Sequence, residues 1–189
     1  MKGYTAEQVL RTVKDQGIDF VQFWFTDVLG MLKSFSVSPS ELETALSEGM
    51  GFDGSSIEGF ARIEESDMIA MPDPSTFCIV PWLDRNGPVA RVFCDIMTPD
   101  LVPYAGDPRY ALKKMVKRAA DMGYTFYVGP ELEYFYFMDN QSADILDRGG
   151  YFDISSADLG GDIRRATVKT LRKMGIDVEY SHHEVAPSQ

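Results

Sequence analysis

Basic side chains are scarce in this 189-residue chain: 18 Lys and Arg stand against 29 Asp and Glu, a formal charge of −11. Nucleic acid and anionic membrane surfaces recruit clustered Lys and Arg, so neither is expected as a main partner. The only cysteines are Cys78 and Cys94, each inside an apolar, strand-like stretch, and they read as buried thiols rather than a disulfide or a thiol catalyst. No apolar run reaches membrane length, and Met1–Gln8 holds no secretory signal, so the protein is read as cytoplasmic. Without such a signal, the sequon Asn140-Gln141-Ser142 is read as chance. No Gly-Lys-Ser/Thr occurs, which excludes a P-loop.

The rest is ordinary globular material, with 44% hydrophobic, 12% aromatic and 25% charged residues, enough to bury a core. Thr5 and Gln8 predict a capping box at the start of a first helix. Residues 18–26 and 31–37 read as a hairpin around the turn 27–30, and Ser38-Pro39-Ser40-Glu41 as a helix start, with Ser38 as cap and a stop near Gly49. The stretch 51–67 has no period and reads as a loop; 76–80 and 89–95 read as further strands. Pro99, Pro103, Gly106 and Pro108 suggest a domain boundary, placing one domain at 1–105 and a second at 106–189. In the second, Asp107-Pro108 caps a helix to about 122, a strand is expected over 124–138, a helix over 162–174 and a strand over 176–185. The fold class is therefore α+β, a small sheet with a helix across it followed by the beginning of an α/β layer.

Three segments carry chemistry. In Gly129-Pro130-Glu131-Leu132-Glu133-Tyr134-Phe135, a strand would set Glu131 and Glu133 on one face, about 7 Å apart, beside Tyr127, Phe135 and Phe137. Two poorly solvated carboxylates at that distance suit a hard divalent cation; a solvated edge face or two salt bridges is the alternative, and the local pattern leaves both open. In Glu179-Tyr180-Ser181-His182-His183-Glu184, His182 and Glu184 would share a strand face, with Glu179 on the other. The i, i+4 zinc spacing is missing, so the adjacent histidines read as hydrogen-bonded structural groups rather than ligands. The third is Phe52-Asp53-Gly54-Ser55-Ser56-Ile57 with Glu65-Ser66-Asp67-Met68. Gly49, Gly51 and Gly54 spell G-x-G-x-x-G, but after a helix rather than a strand, so no dinucleotide site is inferred. Asp53 and Asp67 either face a cation or cap turn amides.

Together these segments, with Met71-Pro72-Asp73-Pro74, Gly149-Gly150-Tyr151-Phe152 and His182-His183-Glu184-Val185-Ala186-Pro187, resemble the type I glutamine synthetases in order and spacing over nearly all 189 residues. The resemblance implies a β-grasp-like first domain, then a catalytic domain that forms γ-glutamyl phosphate from ATP and glutamate and lets ammonia displace the phosphate. It implies Glu131 as ligand of the metal (Mg²⁺ or Mn²⁺) nearer the ATP phosphates, and Glu133 and Glu184 as ligands of the one nearer glutamate. Glu179 would contact nucleotide. Asp53, with Ser56, Tyr151 and Glu184, would form the ammonium site and take the ammonium proton, with Asp67 supporting that loop. Family members are double-ring dodecamers in which the first domain completes a neighbour's site. The segment 61–67 resembles the Bacillus- and archaea-like subtype, which implicates Arg62 in feedback inhibition by glutamine. The next metal carboxylate is due two positions beyond Gln189, so the chain is read as an N-terminal part, expected to be inactive alone. Two other readings remain: a γ-glutamyl ligase for another amine, which the small anionic pocket at Asp53 opposes, and a non-catalytic binding or regulatory module.

Overall fold

The computed structural model describes residues 3–56, 67–83, 87–154 and 156–189. It divides into two compact units, residues 1–127 and 128–189.

The first unit runs α1 (Ala6–Asp15), β1 (Phe20–Thr26), β2 (Leu32–Val37), α2 (Leu42–Glu48), β3 (Met50–Asp53), a 3-10 turn (Gly54–Ser56), β4 (Asp67–Ile79), β5 (Val89–Met97) and α3 (Pro108–Asp121). Its five strands lie in the order β2-β1-β5-β4-β3; β1 and β5 are parallel and every other pair is antiparallel. Period-two alternation decides the faces. Val21, Phe23 and Phe25 of β1 and Ala90, Val92, Cys94 and Ile96 of β5 are buried, and with Val9 and Val13 of α1 and Leu42, Ala45 and Leu46 of α2 they form the core. Burial pushes the Cys94 thiol far up, as expected of an inert thiol, and among the described residues neither cysteine is in a disulfide. The opposite face carries Trp24, Arg91 and Phe93. The Arg91 guanidinium, at 9% exposure, lies 4.4 Å from the Phe93 ring centre and donates to the Thr76 carbonyl, while its buried Nε has no hydrogen-bond partner among the described residues.

Local chemistry explains most element ends. Thr5 and Gln8 close a reciprocal capping box on α1. Asp27 accepts from the Leu29 and Met31 N–H groups at 2.9 and 2.8 Å and fixes the β1–β2 turn. Ser38 does not cap α2: its hydroxyl pairs with Ser40, residues 38–42 form a separate turn, and the helix begins one turn later, after Glu41. The chain then turns directly into β3 through Gly49 at φ +78°, where a Cβ would stand 2.4 Å from Ile69 Cγ2. β3 occupies part of the stretch expected to be loop.

β4 is longer than expected because it passes through Pro72 and Pro74, which mark an interruption rather than an end. The β4–β5 register shifts between Asp73 and Cys78. There the Thr76 hydroxyl accepts from the Phe93 N–H at 2.8 Å in place of a ladder bond.

α3 is fastened by side chains rather than by apolar packing; none of its residues is buried. Its cap, Asp107, is 1% exposed and takes two amides, Arg109 N–H on Oδ1 at 2.9 Å and Ile96 N–H on Oδ2 at 3.0 Å. Burial raises this carboxyl, and the two amides oppose that rise. Arg109 bridges Asp73 and Asp95, each at 2.6 Å, and Lys113 adds a second cation to Asp95.

The second unit holds α4 (Gly161–Lys173), one element-sized match to the sequence. The strands expected over 124–138 and 176–185 do not form. Among the described residues, an isolated bridge, Phe137 to Ile145, and single backbone bonds such as Tyr136 N–H to the Ser188 carbonyl and Phe152 N–H to the His183 carbonyl stand in their place. A strand exists through its neighbour, and among the described residues 124–135 and 176–181 have no partner ladder; Tyr127 and Leu132 stand 86% and 78% exposed.

Candidate functional site

In the first unit, β3 and β4 set Asp53 and Asp67 directly opposite each other across an antiparallel pair, both exposed. Like charges placed so cost stability unless something between them compensates. Asp53 Oδ1 accepts from the Ser55 N–H at 2.9 Å and the Ser55 hydroxyl at 2.6 Å, so it starts the 3-10 turn as an Asx cap. The capping reading of Asp53 thus holds locally, alongside the juxtaposition with Asp67. Ser56 lies at the end of that turn. Arg62 falls outside the described residues, as do Ile57 to Ser66 generally.

In the second unit, Glu131 and Glu133 sit on an exposed irregular segment, not a strand face. Tyr127, Phe135 and Phe137 face solvent as well, so no apolar surround crowds the two carboxylates. Glu133 accepts from the Gln189 side-chain amide at 3.0 Å. Glu179 lies on the exposed stretch before the histidines.

His182 is where predicted residues meet. Its ring stands edge-on to Tyr151 (5.2 Å) and Phe152 (4.7 Å) and stacks on Tyr180 (5.9 Å), and its Nε2 lies 3.8 Å from a Glu184 carboxylate oxygen. The other Glu184 oxygen accepts from the Val185 N–H at 2.8 Å. Tyr151 and Glu184, two of the residues expected at the ammonium site, thus flank one imidazole. A cleft of about 310 Å³ opens beside them, lined by Phe152, Asp158, Arg164, Arg165 and His182 among others. Arg164 is already paired with Asp158, and Arg165 with Asp162.

His183 points the other way, into the unit, at 1% exposure. Its Nε2 is 3.0 Å from Asp147 Oδ1 and its Nδ1 2.7 Å from the Glu184 carbonyl. Both ring nitrogens face acceptors, an arrangement that favours imidazolium. Burial lowers the His183 pKa, but the Asp147 bond and the Glu184 carbonyl outweigh it and leave it raised. Burial likewise raises Asp147, and the His183, Leu159, Gly149 and Ser188 donors more than reverse that, bringing its carboxyl down to about 2. Asp147 and Ser188 carried no sequence signal: one polar residue beside a glycine pair, and one near the chain's last residue, fit no period and no motif.

The carboxylates at 131, 133 and 184 have the oxygen chemistry of a hard-cation site. Among the described residues, however, no group of three or more His, Cys, Asp or Glu is gathered closely enough to hold a metal ion. No helix among them is long and apolar enough to cross a membrane.

Comparison with known proteins matches residues 17–99 to the glutamine synthetase β-grasp domain and residues 105–189 to the glutamine synthetase catalytic domain. Relatives include glutamine synthetases of Mycolicibacterium smegmatis, 51% identical over 97% of this chain, and Methanosarcina mazei, 49% identical over 98%. The chain spans 42% of the length of each. Among solved structures, a Plasmodium falciparum glutamine synthetase superposes on all of this chain and 44% of its own, with a TM-score of 0.77 at 22% identity. A GmaS–ADP complex superposes on 95% of this chain and 42% of its own, with a TM-score of 0.79 at 20% identity; both support the fold.

Proposed function

The chain belongs to the glutamine synthetase family, and from that premise we propose that it supplies the N-terminal part of an ATP-dependent ligase that joins ammonia to glutamate. It carries the family's β-grasp domain and the start of its catalytic domain; we assign these to residues 1–105 and 106–189. The observation that carries the reading is the meeting of Tyr151 and Glu184 around His182, inside a chain whose two family matches run in the expected order.

The roles follow from chemistry. Ammonium is bound through cation attraction and hydrogen bonding, and must lose a proton before it attacks a carbonyl. Glu184 supplies anionic charge and Tyr151 an aromatic face and a hydroxyl. Asp53, short and already held by Ser55, supplies the base, with Ser56 beside it and Asp67 steadying its loop. As the family resemblance implies, Asp53 is proposed to serve an adjacent copy of the chain, so that the site forms between copies in a homo-oligomer. Glu131, Glu133 and Glu184 would hold the divalent cations, Mg²⁺ or Mn²⁺. Bound there, such ions would neutralise charge as phosphoryl moves from ATP to the γ-carboxylate. Glu179 would contact the nucleotide, and Arg62 a feedback inhibitor. A cytoplasmic setting, where ATP and glutamate are supplied, fits this reading. The 189 residues alone are proposed to be inactive, since they span 42% of the relatives' length.

The test is phosphate release from ATP by a chain of the relatives' full length carrying these residues, omitting glutamate or ammonium in turn. Release that needs both, and that falls about 100-fold or more with Asp53→Ala or Glu131→Gln, supports the synthetase. Release with glutamate and another amine, but not ammonium, supports a related γ-glutamyl ligase; no release in any mixture leaves a binding or regulatory module.

A further inference from the structure

Glu184 is useful only if it is held still, and a residue with no assigned part in the chemistry, Asp147, is hydrogen-bonded to its neighbour His183. Asp147 has a side chain 4% exposed, too buried to touch a substrate. Its Oδ1 accepts from the Gly149 N–H (3.2 Å), the Ser188 N–H (3.0 Å) and His183 Nε2 (3.0 Å), and its Oδ2 from the Leu159 N–H (3.0 Å). The Asp147 N–H donates to the Ser188 hydroxyl at 2.6 Å, and that hydroxyl donates back to the Asp147 carbonyl at 2.8 Å. One carboxylate thus reaches residues 36 and 41 positions further along the sequence.

What it ties is the two halves of the proposed site. On one side, His183 adjoins Glu184, whose own N–H donates to the Gln189 carbonyl at 2.8 Å. On the other, the loop bearing Tyr151 is fastened to the same histidine, because the Phe152 N–H donates to the His183 carbonyl at 3.0 Å. Phe152 and Ser188 both hold positive φ, 61° and 63°. Non-glycine residues stay there when surrounding bonds over-determine them. We propose that Asp147 is a positioning residue of the reaction: it sets the distance between Glu184 and Tyr151 without meeting substrate. The proposal rests on the synthetase reading of Tyr151 and Glu184.

The experiment uses the full-length chain carrying these residues. Asp147→Asn keeps shape and one acceptor oxygen, and Asp147→Ala keeps neither; Ser188→Ala is a milder perturbation should either fail to fold. A brace that only stabilises the fold would lower the fraction of active molecules, so kcat per mole of protein would fall while KM for ammonium and the metal activation constant stay put. A positioning role moves those constants. Expected is a rise of about tenfold in KM for ammonium and in the metal activation constant for Asp147→Asn, a larger rise for Asp147→Ala, and about threefold for Ser188→Ala, since a displacement near 1 Å costs up to about 100-fold. Unchanged constants in all folded variants would overturn the proposal while leaving the synthetase reading intact. A wild-type chain that forms no glutamine would overturn both.

Discussion

Removing the Asp107 carboxylate tests how the first unit holds α3. With no buried residue on α3, its attachment depends on polar groups, and Asp107 is the most buried of them. Asp107→Ala removes an N-cap, a loss of about 1 kcal/mol. It also leaves the Ile96 N–H, inside the sheet, without its 3.0 Å partner, at a cost of about 1–3 kcal/mol. The sum is about 2–4 kcal/mol, which at a urea slope of about 2 kcal/mol/M lowers the unfolding midpoint by about 1–2 M. Asp107→Asn separates the two contributions. Asparagine still caps the Arg109 N–H, and it drops a charge that burial disfavours, but its amide turns a donor toward Ile96 N–H; it should lose about 1–2 kcal/mol. The assay is built in, because both tryptophans, Trp24 and Trp82, lie within residues 1–127, so their fluorescence reports this unit alone. A midpoint shift below about 0.25 M for Asp107→Ala, or an Asn variant as unstable as the Ala one, would refute the reasoning.

Gly49→Ala, at positive φ and facing Ile69 and the Ala70 carbonyl, should lose about 2 kcal/mol or more by the same fluorescence assay, whereas Gly51→Ala, which meets nothing within 4 Å, should stay within about 0.5 kcal/mol. Acid should loosen the second unit: a carboxyl held at about 2 contributes stability above its unfolded value of about 3.9 and loses it as pH falls toward 2, so the protection of the Leu159 and Ser188 amides, relative to an unstructured chain at the same pH, should fall there and lose that pH dependence in Asp147→Asn. His183 has the opposite sign, its raised pKa giving stability that fades as pH climbs through it. Ser188→Gly should unfold within about 1 kcal/mol of wild type, because relief at φ 63° offsets the lost hydroxyl bonds, while Ser188→Ala loses those bonds with no relief and should be the less stable of the two by melting in circular dichroism.

Where local chemistry decides, the sequence was legible. The Thr5–Gln8 box, the turn at Asp27 and the Asp107 cap each lie within a few residues of what they bind, and each formed as read. Ser38-Pro39-Ser40-Glu41 was misread because Ser38 had a nearer partner in Ser40. The strands expected over 124–138 and 176–185 have the right residues but, among the described residues, no partner ladder, and pairing is a property of two segments rather than one. The site divides the same way. The acidic loop and the histidine pair were visible as motifs, yet the opposition of Asp53 to Asp67 depends on a β3–β4 register no short motif encodes. Asp147 was invisible because the partners that tie it to the proposed site, His183 and Ser188, lie 36 and 41 residues away.

The parallel pairing of β1 with β5 has a mechanical consequence. In register from Phe20 beside Val89 to Trp24 beside Phe93, these strands point the same way, so tension between residue 20 and residue 97 pulls along both at once. The bonds of that ladder then share the load in shear and must fail together. The antiparallel β1–β2 hairpin, pulled from its open end at Val21 and Val37, peels one pair at a time. Force transmitted into this sheet from its two ends should therefore spare the centre and open the β2 margin first.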